Sequence, residues 1–269
     1  MNKQILVTCF DATGTLFKVK NDVGFNYVKF DQEKVNKSFL KEFSLLSLSS
    51  PCYGKSKLEG INNTLGEGGR EWWTKLIKTL LSQSLIGDND KQKLDSIPDK
   101  VFDDLYDAFA GSLNTGSMSA HDMWELFPEV PETLQYLKDK GQILSIISNF
   151  DERLESILSH LGIIGFFNKD LITTSIDTGY QKPHHEIFKH SFDKLKLVLP
   201  NLQKSNVIYV GDSFGKDAKG SYQFGYQPVL LHRNSSKPLK KDINNSQDQL
   251  ISEKTIIIKD LTEIKKLID

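Results

Sequence analysis

Three short stretches of the chain share one pattern, a run of apolar and β-branched residues that stops at a polar side chain. ILVTCF, residues 5–10, runs into Asp11; QILSIISN, residues 142–149, ends in Ser148 and Asn149; SNVIYVGDS, residues 205–213, ends in Gly211 and Asp212. Runs of this length that lack polar alternation predict buried strands. Leu134 and Leu137, followed by Gly141, predict a helix ending just before the second run. ERLESILSHLG, residues 152–162, and HEIFKHSFDKL, residues 185–195, predict helices in the crossover that follows. Helices between buried strands predict a mostly parallel α/β sheet. Ligands of such sheets bind at the carboxyl edge of the strands, so the three polar ends form one candidate site.

Between Leu16 and about Asp122 the rhythm changes. REWWTKLIKTLLS, residues 70–82, and DKVFDDLYDAFAG, residues 99–111, carry the spacing of amphipathic helices. The region is too long for a plain loop. Residues 17–122 are therefore expected to form a helical domain, a lid over the sheet edge, inserted into a core of residues 1–16 and 123–269, with Pro128 and Pro131 marking the return. Adjacent helical residues point in different directions, so at least one of Trp72 and Trp73 belongs to the insertion's own core. LVLPNLQKSN, residues 197–206, and LLHRNSSKPLKKDINNSQDQL, residues 230–250, read as loops.

Composition narrows the class. With 34 basic residues against 35 acidic ones the chain does not read as a nucleic-acid binder, and Lys237, Lys240 and Lys241 read as a solvated loop. No secretory pattern precedes the first strand run and no stretch approaches the ~18 apolar residues of a membrane span. An intracellular, cytoplasmic protein is expected, with nucleus and mitochondrion left open. Cys9 and Cys52 make neither a disulfide framework nor a metal knuckle, and Cys9 reads as a small core residue.

Single acids at strand ends commonly cap turns. Here Asp11 and Asp212 end two strands and Asp217 follows five residues after the second, a cluster whose mutual repulsion a hard cation such as Mg2+ would offset. Lys182, ahead of Pro183, supplies a cation for Asp11 and an incoming phosphate. Ser148 and Asn149 serve either as turn caps or as hydrogen-bond donors to a phosphoryl oxygen. Gly14 permits a tight turn presenting amides around Thr15. The set suits phosphoryl transfer, whereas neither a Walker A nor a GxGxxG pattern stands at these strand ends. His121, His184 and His185 lack metal-ligand spacing.

DATGT, the serine of IISN, the lysine of QKPHHEIF and GDSFGKD resemble the four ordered motifs of the haloacid dehalogenase-like hydrolase superfamily, over about residues 5–230. ISNFDERL with DATGTLF resembles more narrowly the subgroup of haloacid dehalogenase-like hydrolase domain-containing protein 3. The resemblance implies a three-layer, Rossmann-like parallel sheet with a helical C1 cap. It implies an aspartyl phosphate on Asp11 and Mg2+ held by Asp11, the Thr13 carbonyl, Asp212 and Asp217. Phosphate contacts would come from Gly14, Thr15, Ser148, Asn149 and Lys182, and the substrate would be a small phosphorylated molecule. Thr13 departs from the pattern, since the second acid of DxDGT protonates the leaving oxygen and threonine cannot. That leaves three expectations: a slow phosphatase, a phosphate-binding or assembly protein without turnover and with a protein partner, and, as a minor reading, a dehalogenase.

Overall fold

In the computed structural model, which describes residues 4–20, 32–61, 68–84, 96–111, 123–233 and 243–269, the run behind Asp11 is the strand β1, Val7–Phe10. Val7, Cys9 and Phe10 have no exposed surface, as a strand covered on both faces requires. The other strands are β2 (Phe17–Val19), β3 (Trp124–Leu126), β4 (Ile143–Ser148), β5 (Ile172–Thr174), β6 (Val207–Gly211), β7 (Gln227–Leu231) and β8 (Ile256–Ile258). Six of them form one sheet in the order β5-β4-β1-β6-β7-β8, parallel at every pairing, while β2 and β3 pair separately. Phe10 is opposite Ile146 on one side and Val210 on the other. This register sets Asp11, Ser148 and Asp212 along one sheet edge. The observed architecture is the Rossmann-like parallel α/β sheet expected from the sequence.

Among the described residues the α-helices of six residues or more are α1 (Gln32–Ser49), α2 (Gly69–Ser84), α3 (Asp99–Ala110), α4 (Val130–Asp139), α5 (Leu154–His160), α6 (His185–Val198), α7 (Lys219–Phe224) and α8 (Ser246–Lys254). Two compact units emerge. One holds Met1–Lys18, Leu126–Asn149 and Gly162–Asp269; the other holds Val19–Glu125 and Phe150–Leu161. In the larger, Val7, Cys9, Ile147, Phe188, Val207 and Tyr209 share one apolar core. Cys9 lies within it, its thiol pushed up to about 12 by burial.

The smaller unit has its own core. Trp72 is 1% exposed, donates Nε1–H to the Ser50 carbonyl (2.9 Å) and meets Phe43 and Tyr53 edge-on. Trp73 is half-buried, with Nε1–H donated to Asp151 (2.7 Å). Residues 150–161, expected in the 123–269 core, cluster with this unit, where Asp151 takes the Trp73 N–H, Tyr106 Oη donates to Glu152 (2.7 Å) and Ser156 Oγ donates to the Ala110 carbonyl (2.6 Å). Arg153 grips Asp151 through Nε (2.9 Å) and a terminal nitrogen (2.6 Å), and its guanidinium stacks on Tyr106 (4.0 Å).

Residues 230–250, expected as one long loop, begin within β7 at Leu230 and Leu231 and end within α8. Asn245 caps that helix by accepting from Asp248 N–H (2.8 Å), and Ile251 is its fully buried anchor. Capping, rather than amphipathic spacing, marks its start. Among the described residues no helix is long and apolar enough to cross a membrane. His121, Lys237, Lys240 and Lys241 lie outside the described residues.

Candidate active site

Asp11 is the first residue past β1 and keeps its backbone in the sheet, with N–H donated to the Val210 carbonyl (2.8 Å). The residue is 8% exposed. Ser148 Oγ (3.0 Å) and Lys182 Nζ (2.7 Å) both donate to Oδ1, and among the described residues no side chain donates to Oδ2. Burial holds the Asp11 carboxyl above the usual carboxylate range; the nearby Asp217 adds to the rise and Lys182 opposes it.

Lys182 reaches this point from the loop before α6, and the peptide bond from it to Pro183 is cis. It is 2% exposed, and its ammonium donates to Asp11 Oδ1, Asp217 Oδ1 and Tyr209 Oη, each at 2.7 Å. Burial works against the charge, but the two carboxylates outweigh it and hold the ammonium protonated. Asp217 is 1% exposed and also accepts from Ser213 N–H through Oδ2 (2.9 Å). Both of its oxygens are therefore already engaged by the protein. Tyr209 was not singled out from the sequence, where a tyrosine within an apolar strand run reads as ordinary core.

Asp212 reaches solvent just past β6. Its carboxyl is pushed up to about 7, first by the protein packed around it and then by the charges of Asp11 and Asp217. Asp11, Asp212 and Asp217 each offer one oxygen, and these lie within 4.8 Å of one another. Three hard oxygen donors with one negative charge each fit Mg2+ by ligand type. The crowding is built in: a Cβ on Gly14 would lie 2.3 Å from Asp212 Oδ2, and one on Gly211 would lie 2.3 Å from Asp217 Cγ. Both positions need glycine for the acids to approach, and Gly14 also holds φ at 85°.

The turn after Asp11 uses its amides differently from the sequence expectation. Gly14 N–H goes to the Phe17 carbonyl (2.7 Å) and Thr15 N–H to that of Ala12 (3.3 Å). Both amides are engaged within the turn. The Thr13 amide takes no part in that pattern, while the Thr13 side chain is exposed. The Thr15 hydroxyl is buried and lacks a protein partner.

Asn149 is also placed differently from the phosphate-donor expectation. Its Oδ1 accepts from Lys182 N–H (2.6 Å) and its Nδ2 donates to the Lys182 carbonyl (3.0 Å). Both ends of the amide therefore hold the backbone of the lysine. His184 caps α6 and stacks on Tyr180, and His185 packs on Phe224; neither joins the acidic group.

Residues 5–225 match the family model described as haloacid dehalogenase-like hydrolase. The chain is 28% identical over 242 residues to haloacid dehalogenase-like hydrolase domain-containing protein 3 of Danio rerio, covering 87% of this chain and 88% of that one. It is 30% identical over 153 residues to the glyceraldehyde 3-phosphate phosphatase of Methanocaldococcus jannaschii, covering 53% and 64% of the two. Among solved structures it resembles the HAD-hydrolase YfnB from Bacillus subtilis, with a TM-score of 0.64, 16% identity and 99% of each chain covered. With the fold, the ordered motifs and these matches in agreement, the chain belongs to the haloacid dehalogenase-like hydrolase family.

Proposed function

We propose that this chain hydrolyses a small phosphate monoester in two steps, with Asp11 as nucleophile and with slow turnover. One observation carries the reading: Asp11 is clamped through Oδ1 by Ser148 and Lys182 while no described side chain donates to Oδ2, with two further carboxylates close by. The similarity to an archaeal phosphatase supports the substrate class. Asp11 Oδ2 bonds to phosphorus as the bond to the ester oxygen breaks, and water then attacks the aspartyl phosphate, releasing inorganic phosphate and restoring the carboxylate. Lys182 offsets charge on Asp11 and the transferred group, and the Ser148 hydroxyl turns from Asp11 to a phosphoryl oxygen. Asn149 acts by holding Lys182.

Mg2+, held by Asp11, the Thr13 carbonyl and Asp212, with Asp217 orienting bound water, would supply the charge that draws the phosphate dianion into an acidic site. Residues 17–122, the helical insertion, would carry substrate selection. The leaving alkoxide needs a proton that the Thr13 hydroxyl does not give up near neutrality, and a missing acid costs roughly 10²–10⁴ in rate. Thr13 also favours a second reading, a phosphate-binding or assembly protein that does not turn over. A panel of small phosphate monoesters with Mg2+ separates the two. Metal-dependent release of phosphate by the wild type, abolished in Asp11→Asn, supports the enzyme; equal release by both proteins removes Asp11 from the role. For the binding reading, a stable partner recovered by affinity capture should remain associated with Asp11→Asn.

A further inference from the structure

Tyr209 lies within β6 with no exposed surface, its ring edge-on to Phe188, and its hydroxyl reaches three parts of the site at once. Oη accepts from Lys182 Nζ at 2.7 Å and stands 2.9 Å from the Ile147 carbonyl and 3.2 Å from Asp217 Oδ1. A lysine ammonium has three N–H groups. Lys182 gives one to Asp11, one to Asp217 and the last to Tyr209, so the tyrosine is the neutral acceptor that completes its shell. The phenolic hydrogen then has two acceptors to choose between, the Asp217 carboxylate and the carbonyl of Ile147, the residue directly before Ser148.

We infer that Tyr209 is a positioning residue for phosphoryl transfer, holding the Lys182 ammonium on Asp11 Oδ1 and tying it to the strand end that presents Ser148. The inference rests on the reading of Asp11 as nucleophile. Without Oη one ammonium N–H is left buried with no acceptor, and the head group is held by two attachments to carboxylates rather than three fixed points. Lys182 fixes the Asp11 carboxylate through Oδ1 and so sets the line along which Oδ2 meets phosphorus; misplacing it acts on kcat more than on KM.

The test compares Tyr209→Phe with Tyr226→Phe in the full chain. Tyr226 lies in the same apolar core, 3% exposed, and its hydroxyl has no hydrogen-bond partner, so its removal controls for losing a buried oxygen away from the site. With a phosphate monoester and Mg2+, Tyr209→Phe should lower kcat about 10- to 100-fold with KM changed less than ~3-fold, while Tyr226→Phe changes neither. The second readout needs no turnover: the side-chain ammonium NMR signal of Lys182 in 15N-lysine protein, assigned by its loss in Lys182→Met. Tyr209→Phe should shift that signal and speed its proton exchange, and Tyr226→Phe should leave it in place. If the wild type turns over no monoester yet the signal responds to Tyr209→Phe alone, the phosphatase reading fails and the placement of Lys182 by Tyr209 stands. An unmoved signal with an unchanged kcat in Tyr209→Phe overturns the inference, as do equal effects from the two tyrosine variants.

Discussion

Lys182→Met should cost the metal-free protein about 3–5 kcal/mol near neutral pH, the usual penalty for removing one partner of a buried ion pair. Methionine keeps the length and apolar stem of lysine but not its charge. Asp11 at 8% exposure and Asp217 at 1% would then face each other with the 2.7 Å ammonium contacts gone. For a large domain a loss of that size corresponds to roughly 6–20 °C in melting temperature, at ~2–4 °C per kcal/mol. Thermal unfolding followed by circular dichroism in EDTA reads it directly.

Two further arms separate charge from packing. Burial already raises the Asp11 carboxyl and Lys182 opposes that rise, so without the lysine acidification protonates Asp11 more readily and the deficit should shrink as pH falls. Asp217→Asn added to Lys182→Met removes one of the two orphans and should recover part of the loss. Metal-free Lys182→Met melting within about 1 kcal/mol of wild type, with no pH dependence of the difference, would refute the reasoning, because the ammonium would then hold nothing that water does not.

Thr13→Asp restores a side chain able to protonate the leaving oxygen and should raise kcat on a reactive monoester about 10²- to 10⁴-fold; no gain would show that the absent acid is not what limits turnover. Gly14→Ala forces an L side chain to φ 85° and sets its Cβ 2.3 Å from Asp212 Oδ2, so it should destabilise the fold by about 1–2 kcal/mol from the backbone alone and weaken Mg2+ binding measured by calorimetry. Asp212 gives a pH signature in the metal-free protein. Its folded-state carboxyl holds a proton up to about 7, while the unfolded one has released it in the ordinary range, so this group's contribution makes stability fall as pH rises toward about 7. Mg2+ needs the ionised form, and the gain in melting temperature on adding Mg2+ should therefore grow across the same interval.

The strand ends were legible because doubly covered parallel strands read as unbroken apolar runs, and a carboxylate or Ser-Asn pair that stops such a run stands out. What the residues beside them do was less so. Asn149 sits at a strand end whichever way its amide turns, and its bonds to Lys182 depend on a loop 33 residues further on. Tyr209 resembles any core aromatic until the register places its hydroxyl against Lys182, Ile147 and Asp217. The helical pattern at 152–162 announced a helix but not the unit that holds it, since the buried Asp151 and Arg153 meet Trp73 and Tyr106 across long sequence separations. The helix α1 left a weak trace, because Leu40, Leu45 and Leu48 are exposed and blur any single apolar stripe.

Charge counting links the unusual Thr13 to the rest of the site. Asp11, Asp212 and Asp217, when ionised, face the single ammonium of Lys182, an excess of two negative charges before any substrate arrives. A phosphate dianion would double that excess, and one divalent cation cancels the excess present in the empty site. A fourth carboxylate at position 13 would add to the repulsion in the metal-free state, though at an exposed position where water screens it. Under the proposed phosphatase chemistry, threonine would relieve the resting site at the expense of the proton donor. It follows that Thr13→Asp should depend more steeply on Mg2+ for its stability than the wild type does, even as its turnover rises. A gain in turnover without that steeper dependence would mean that the new acid stands outside the field of the cluster, and the charge argument for the metal would lose its footing at this position.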